Sequence, residues 1–315
     1  MSNKKVLIIA DDVRHLNSSV DSTVFLIQEA WERGFDVWLT ELQDLTILQS
    51  SKSHFLTKAS LVEHGEDSNW YKIKLNSQVD IYSFNYILIR VDPPFDVNYL
   101  VMTQLLSFAE DKGVRVINSP KSLRNFNEKL FALRFPEFTP ATLVSSDFEE
   151  IYSFLETKNN VVFKPLNLMG GQGIFVCNKR DHNIKTIVQL LTNSGMEKIV
   201  IQEFIKNISN GDKRIIIING IVEKFALCRI PEKNSYISNL AAGGKASVVE
   251  LDQEEFEIAN KIASQIKNDI FFAGIDLIDK KLTEINITSP TGMRQIANHS
   301  KAKLNGQFFD LLEKI

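Results

Sequence analysis

The chain has 315 residues, 44% of them hydrophobic and 24% charged, and 36 basic against 39 acidic side chains leave a net charge of −3. That balance excludes a general nucleic-acid or membrane-surface binder, which carries a basic excess, and 21 Phe among many Ile, Leu and Val exclude a disordered chain. Two cysteines, Cys177 and Cys228, and five scattered histidines exclude a disulfide framework and a zinc site.

At roughly 150 residues per domain the length predicts two domains, or three small ones. The N-terminal apolar run, Val6 to Ala10, ends at Asp11 and Asp12 and is too short for a secretory signal. No apolar stretch approaches the roughly 20 residues of a membrane span. A cytoplasmic protein is expected.

Val6 to Ala10 reads as a strand buried on both faces. Asp21-Ser22-Thr23 starts a helix that Gly34 ends, and Phe35 to Leu39 is the next strand. This strand–helix–strand unit predicts a parallel sheet. Tyr86 to Ile89 and Val114 to Ile117 extend it, with a helix from Leu100 to Lys112 between them. The first ~120 residues therefore read as an open α/β layer.

After Asn118-Ser119-Pro120 the character changes. Asn127 to Phe131 is helical. Strands then follow at Val161 to Lys164, Ile174 to Cys177 and Ile199 to Glu203, with a helix at Asp181 to Thr192. The last third predicts strands at Arg214 to Ile218 and Lys224 to Arg229, a helix at Glu254 to Lys267, and a hairpin near Gly274 to Ile287.

Several segments carry chemistry. In Phe163-Lys164-Pro165, followed by Met169-Gly170-Gly171-Gln172-Gly173, a strand delivers a lysine to a Gly-rich turn. Glycines let backbone N–H groups approach phosphate oxygens, and a lysine in an apolar strand calls for an anion. The segment is not a P-loop, since no Gly-Lys-Ser/Thr closes it. A plain hairpin turn is the alternative.

In Asp276-Leu277-Ile278, a polar turn at Asp279-Lys280-Lys281, and Glu284-Ile285-Asn286, the two-residue period puts Glu284 and Asn286 on one strand face. A turn of that length sets Asp276 opposite Glu284. Three oxygen-bearing side chains then converge, as Mg²⁺ prefers; a solvent-facing polar strand is the alternative.

Gln202-Glu203-Phe204-Ile205 could edge a nucleoside site or a plain core strand. Asp212-Lys213-Arg214 and Cys228-Arg229 put cations at strand edges, for an anion or as surface charge. Asn239-Leu240-Ala241-Ala242-Gly243-Gly244 suggests a mobile loop. Arg90, at the carboxyl end of a strand, is placed to hold a carboxylate or to pair with Asp92 or Asp96.

In this order, and over nearly the whole chain, these segments resemble the ATP-grasp carboxylate–amine ligases, and within them the bacterial glutathione synthetases. The resemblance also uses Leu123-Arg124-Asn125-Phe126-Asn127-Glu128-Lys129 and Ser289-Pro290-Thr291. It implies an α/β fold of three parts: an N-terminal open parallel domain (1–122), a central lid domain (123–203) and a catalytic α+β domain (204–315).

The resemblance implies the roles as well. Lys129, Lys164, Gly170, Gly171, Gln202, Glu203, Phe204, Ile205 and Asp212 would bind ATP. Asp276, Glu284 and Asn286 would hold Mg²⁺, with Mn²⁺ as a substitute. Arg229 and Asn239 would face the transferred phosphoryl group, with Arg214 as a third catalytic residue. Arg90, Ser289, Pro290, Thr291 and Gly292 would meet the peptide substrate.

The implied reaction joins γ-glutamylcysteine to glycine through an acyl phosphate, giving glutathione, ADP and phosphate, in a homo-oligomer (tetramer or dimer). The alternative is the same chemistry on another small carboxylate and amine. Three places depart from the family pattern: Ser18-Ser19-Val20 precede Asp21 where a lysine is usual, residues 232–238 lack the usual glycines and arginine, and Pro290-Thr291 continues as Gly292-Met293-Arg294-Gln295 rather than Cys-x-Arg-Glu.

Overall fold

In the computed structural model, residues 3–51, 53–65, 69–233, 235–236, 238 and 244–315 are described. Strands β1 (Lys5–Ala10), β2 (Asp36–Thr40), β6 (Tyr86–Arg90) and β7 (Arg115–Ile117) run parallel, as the strand–helix–strand pattern predicts. Val6, Leu7, Ile8 and Ile9 are all buried because helices cover both faces. Helix α1 (Ser22–Glu32) begins where the Asp21 carboxylate accepts from the N–H groups of Thr23 and Val24. Helix α2 (Val97–Asp111) starts three residues before Leu100, because Asp96 caps it through Tyr99 N–H.

The open α/β reading of this part is incomplete. Between β2 and β6 the chain makes an antiparallel meander, β3 (Leu45–Gln49), β4 (Ser53–His64) and β5 (Tyr71–Asp80). β4 pairs with β2, so the sheet is mixed, with the order β3-β4-β2-β1-β6-β7 and β5 beside β4. Nearly every residue of β5 is exposed, so it lacks the one-sided burial that makes a strand legible.

Pro120 begins a helix rather than only breaking one: α3 (Pro120–Asn125) has it in the first turn, where its missing N–H costs nothing. The single-turn helix α4 (Glu128–Phe131) follows, capped by Asn127. The second sheet is antiparallel, from β8 (Thr142–Ser145), β9 (Val161–Pro165), β10 (Phe175–Cys177) and β11 (Ile199–Glu203) in the order β10-β9-β11-β8. Helices α5 (Phe148–Thr157) and α6 (Ile184–Leu191) cover it around Phe163, Leu155 and Ile201.

The third sheet is also antiparallel. Strands β12 (Asp212–Ile218), β13 (Ile221–Ile230), β14 (Lys245–Glu250), β15 (Phe272–Ile278) and β16 (Lys281–Asn286) stand in the order β14-β13-β12-β15-β16. Helix α7 (Gln253–Ile266) packs on β13 and opens with a reciprocal cap between Asp252 and Glu255.

Helices α8 (Met293–Ser300) and α9 (Leu304–Leu312) complete the chain and return to α1. Phe308, Phe309 and Leu312 share a core with Val6, Ile8 and Ile27. Asn118, just past β7, makes four hydrogen bonds to the third sheet. Its amide donates to Phe272 O (2.7 Å) and Ile287 O (2.6 Å), and its Oδ1 accepts from Phe271 N and Phe272 N. A fully used amide in a buried position fixes the first sheet's edge against β15. Among the described residues no helix is long and apolar enough to cross a membrane.

Gly211 enters β12 at φ +110°, and a Cβ there would lie 2.2 Å from Cys228 Sγ. Gly211→Ala therefore strains the backbone and overpacks a buried thiol. A loss of about 3 kcal/mol is expected in urea unfolding. A shift below about 0.5 kcal/mol, the size of a neutral surface change, would contradict this account.

Candidate active site

The hairpin of β15 and β16 carries the candidate metal ligands. Its turn is Asp279-Lys280, both at positive φ, not the three residues expected. One irregularity beside Asp276 restores the register, so Asp276 still stands opposite Glu284 and Gly274 opposite Asn286. Asn286 Nδ2 donates to Asp276 Oδ2 (3.1 Å). Asp276, Glu284 and Asn286 are thus brought together, two carboxylates and an amide. Among the described residues no three His, Cys, Asp or Glu side chains gather as a metal cluster; two carboxylates and an amide are all oxygen donors, the kind a hard cation takes.

Asp276 is also the centre of a buried ion network. Arg214 grips it as a fork, Nε to Oδ1 at 2.5 Å and Nη2 to Oδ2 at 2.9 Å. Arg229 Nη2 reaches Asp276 Oδ1 (3.0 Å) and Asp212 Oδ2 (2.6 Å). Burial acts to raise the Asp276 carboxyl, but the two guanidinium groups outweigh it and hold it well below the usual range. Burial instead dominates at Asp212, pushed up to about 6 although Arg229 opposes it. Among the described residues, Asp212 Oδ1 and Arg229 Nε are buried without a hydrogen-bond partner. Unsatisfied buried atoms of opposite sign suit a site that receives further charged groups.

Two clefts meet at this network. The first lies between the second and third sheets. Lys129, Lys164, Gln202, Glu203, Phe204, Ile205 and Asp212 all line it, beside apolar walls at Val162, Ile174 and Ile278. Lys164 Nζ donates to Gln202 Oε1 (2.8 Å), and Gln202 is held in turn by Thr142 Oγ1 (3.0 Å). Burial lowers Lys164. Glu203 pairs with Lys158 at 3.2 Å. Lys129 Nζ lies 3.2 Å from Glu284 Oε1. Apolar walls for a flat ring, with cations deeper in, fit a nucleotide.

The second cleft is lined by Asp92, Gly170, Arg214, Asn286, Ser289, Thr291 and Gln295. Arg229 and Glu284 border both clefts. Gly170 and Gly171, at φ +66° and +85°, turn the segment between β9 and β10. This segment closes one side of the second cleft with Met169 and Gly170.

Three expected substrate residues are placed otherwise. Arg90 is buried and bonds neither Asp92 nor Asp96; its Nε donates to Thr23 Oγ1 and its Nη2 to Pro290 O, both at 3.0 Å. Pro290 therefore serves through its carbonyl, away from the cleft wall. Gly292, at φ +100°, precedes α8, and a Cβ there would press Leu227 Cδ2 at 3.2 Å. Asn239, with Leu240 to Gly243, lies outside the described residues.

Other residues of the site carried no assigned role in the sequence. Glu128 sits beside Lys129, and burial and the nearby Glu284 raise its carboxyl. Asp92 and Gln295 reach the second cleft, and Ser238 donates to Asp212 Oδ2 (3.0 Å). Their one advance signal is position within quoted motifs, since contacts across 26 to 160 residues have no local pattern.

Comparison with known proteins gives the same answer. Residues 5–124 match the family model described as the N-terminal domain of prokaryotic glutathione synthetase, and residues 128–301 match its ATP-grasp domain. The glutathione synthetase of Vibrio parahaemolyticus is 38% identical over 312 residues, 98% of each chain. That of Vibrio cholerae is 39% identical, covering 98% of this chain and 97% of its own. Among solved structures, the ATP-grasp ligase PsnB with a minimal precursor superposes with a TM-score of 0.65 at 16% identity, covering 100% of this chain and 99% of its own. D-alanyl-alanine synthetase A of V. cholerae gives 0.61 at 13%, covering 98% and 97%. At such identities these two speak for the fold alone.

Fold and site together define an ATP-grasp ligase, an enzyme that uses ATP to join a carboxylate to an amine. Within that class, the chain belongs to the prokaryotic glutathione synthetase family.

Proposed function

We propose that this enzyme ligates γ-glutamylcysteine and glycine, with cleavage of ATP to ADP and phosphate, to form glutathione. The carrying observation is the junction at Arg229 and Glu284, which lets a nucleotide in one cleft meet a carboxylate in the other. Full-length relatives named glutathione synthetase support the choice of substrates. Asp276, Glu284 and Asn286 would hold Mg²⁺ between the clefts, where it supplies charge neutralisation to phosphate oxygens.

The remaining work belongs to the chain's own side chains. Lys129 and Lys164 sit where nucleotide phosphates would lie, and their positive charge draws them in. Arg229 borders both clefts and offers an unpaired Nε to the transferred phosphoryl group or to the carboxylate that receives it. The cysteinyl carboxylate attacks the terminal phosphorus and ADP leaves, giving an acyl phosphate. The glycine amine, having lost its proton, then attacks the acyl carbon, and the C–O bond to phosphate breaks. The Gly170–Gly171 segment at the second cleft would limit water at that stage.

Phosphate release from ATP and Mg²⁺ tests the reading, with γ-glutamylcysteine and glycine each omitted in turn. Release that requires both is expected. Release only with a different acid or amine would keep the ligase chemistry and discard the substrates.

A further inference from the structure

Helix α4 has four residues, too few to hold a helical turn on its own. Three consecutive side chains fix it from outside. Asn127 caps it, with Oδ1 accepting from Lys129 N (3.1 Å) and Leu130 N (3.2 Å), while its Nδ2 donates to Leu166 O (3.1 Å). Glu128 Oε1 accepts from Ile287 N (2.9 Å), Thr288 N (3.0 Å) and Thr288 Oγ1 (2.7 Å). Lys129 Nζ donates to Leu168 O (2.7 Å) and faces Glu284. Ile287 and Thr288 directly follow Asn286, the last residue of β16.

We infer that Glu128 is a positioning residue, which ties α4 to the exit of β16 and so sets Lys129 against Glu284 and Asn286. Three donors converge on a single oxygen. Only a carboxylate makes all three charge-assisted, whereas a neutral amide oxygen offers two weaker sites. Without Glu128, two backbone N–H groups below the proposed metal ligands lose their partner, and α4 is held to β16 by packing alone, its other ties running to Leu166 and Leu168. Lys129 and the carboxylates of the hairpin would then no longer hold one spacing. The inference rests on the nucleotide and metal roles proposed above, not on which acid and amine react.

The test measures ADP binding by calorimetry in the presence of MgCl₂, for the full chain and for Glu128→Ala, Glu128→Gln and Thr288→Val, with thermal melting alongside. Glu128→Ala should weaken ADP about tenfold or more, as loss of charge-assisted hydrogen bonds predicts. Glu128→Gln keeps one acceptor and should cost about threefold, and Thr288→Val, which removes one donor of three, about two- to threefold. Adding Thr288→Val to Glu128→Ala should change nothing further, because both act through one tie. In steady state, KM for ATP should rise in Glu128→Gln while KM for the acceptor amine stays constant.

A purely structural Glu128 would lower the melting temperature and leave ADP affinity at the wild-type value, which overturns the inference. If Glu128→Ala does not fold, wild-type ADP affinity in both Glu128→Gln and Thr288→Val overturns it equally. Failure of γ-glutamylcysteine as substrate would leave these ADP results standing, so the two ideas fail separately.

Discussion

Glu284→Gln is expected to abolish ligation, by at least about a hundredfold in rate, while the protein still folds. A metal that neutralises transferred phosphate is worth several kcal/mol, and each 1.4 kcal/mol is tenfold. Glutamine keeps the shape of the side chain but removes the charge from the one carboxylate, among the described residues, that borders both clefts and also faces Lys129. Glu284 is 25% exposed but Lys129 only 9%; because glutamine keeps an acceptor and Lys129 keeps Leu168 O, unfolding free energy should change by about 1 to 2 kcal/mol, less than for a fully buried pair. Initial rates of phosphate release against Mg²⁺ concentration, together with a urea melt, check both halves. Activity within about threefold of wild type would remove Glu284 from the proposed metal site.

The second large effect is structural. Arg214→Met should destabilise the protein by about 3 kcal/mol, measured by urea unfolding, because breaking a buried ion pair leaves an uncompensated charge. The fork on Asp276 is lost, and Arg229 is then the one cation, among the described residues, that pairs with both Asp276 and Asp212. Methionine fills part of the volume but offers no donor. Arg214 also runs over Gly274, whose missing side chain makes the room: a Cβ there would lie 2.7 Å from Arg214 Cδ. Adding Asp276→Asn to Arg214→Met should recover part of the stability, since the stranded charge is then gone. If Arg214→Met alone were neutral, the fork would hold no weight in the third sheet.

The two expected results reflect one design. The third sheet brings Asp212, Arg214, Arg229 and Asp276 onto neighbouring strands β12, β13 and β15, with Arg214 opposite Asp276 and Asp212 opposite Arg229. Alternate charges across adjacent strands hold Asp276 ionised where burial alone would neutralise it, while at Asp212 burial outweighs Arg229. Such a network is costly to disturb, and among the described residues it leaves Asp212 Oδ1 and Arg229 Nε without a hydrogen-bond partner.

Much of this was legible in the chain itself. The apolar runs of β1, β6 and β12 declare buried strands, and Asp21 and Gly34 mark the ends of α1, because these signals are local. The pairing of Asp276 with Glu284 followed from a period of two and a short turn, although the actual turn is shorter and a register shift makes up the difference. The meander β3 to β5 was not legible, since its last strand buries neither face. Nor were α8 and α9, which draw their stability from α1 and from Phe35, far away in the chain.

By itself the sequence determined the class of the protein: which residues are available for phosphate and metal, their order, and the strands or turns that carry them. The class came through the resemblance of the ordered motifs to a known family; spacing within one strand or one turn is enough only to place the candidate residues. Only the tertiary structure decided which of those residues lie together. It buried Arg90 against Thr23 and Pro290 instead of Asp92, gave Asp276 two arginine partners, and turned Glu128 toward Ile287 and Thr288. Each of these contacts joins segments more than 15 residues apart, and charge and hydrogen-bond energies depend on distance in space, on which sequence spacing is silent.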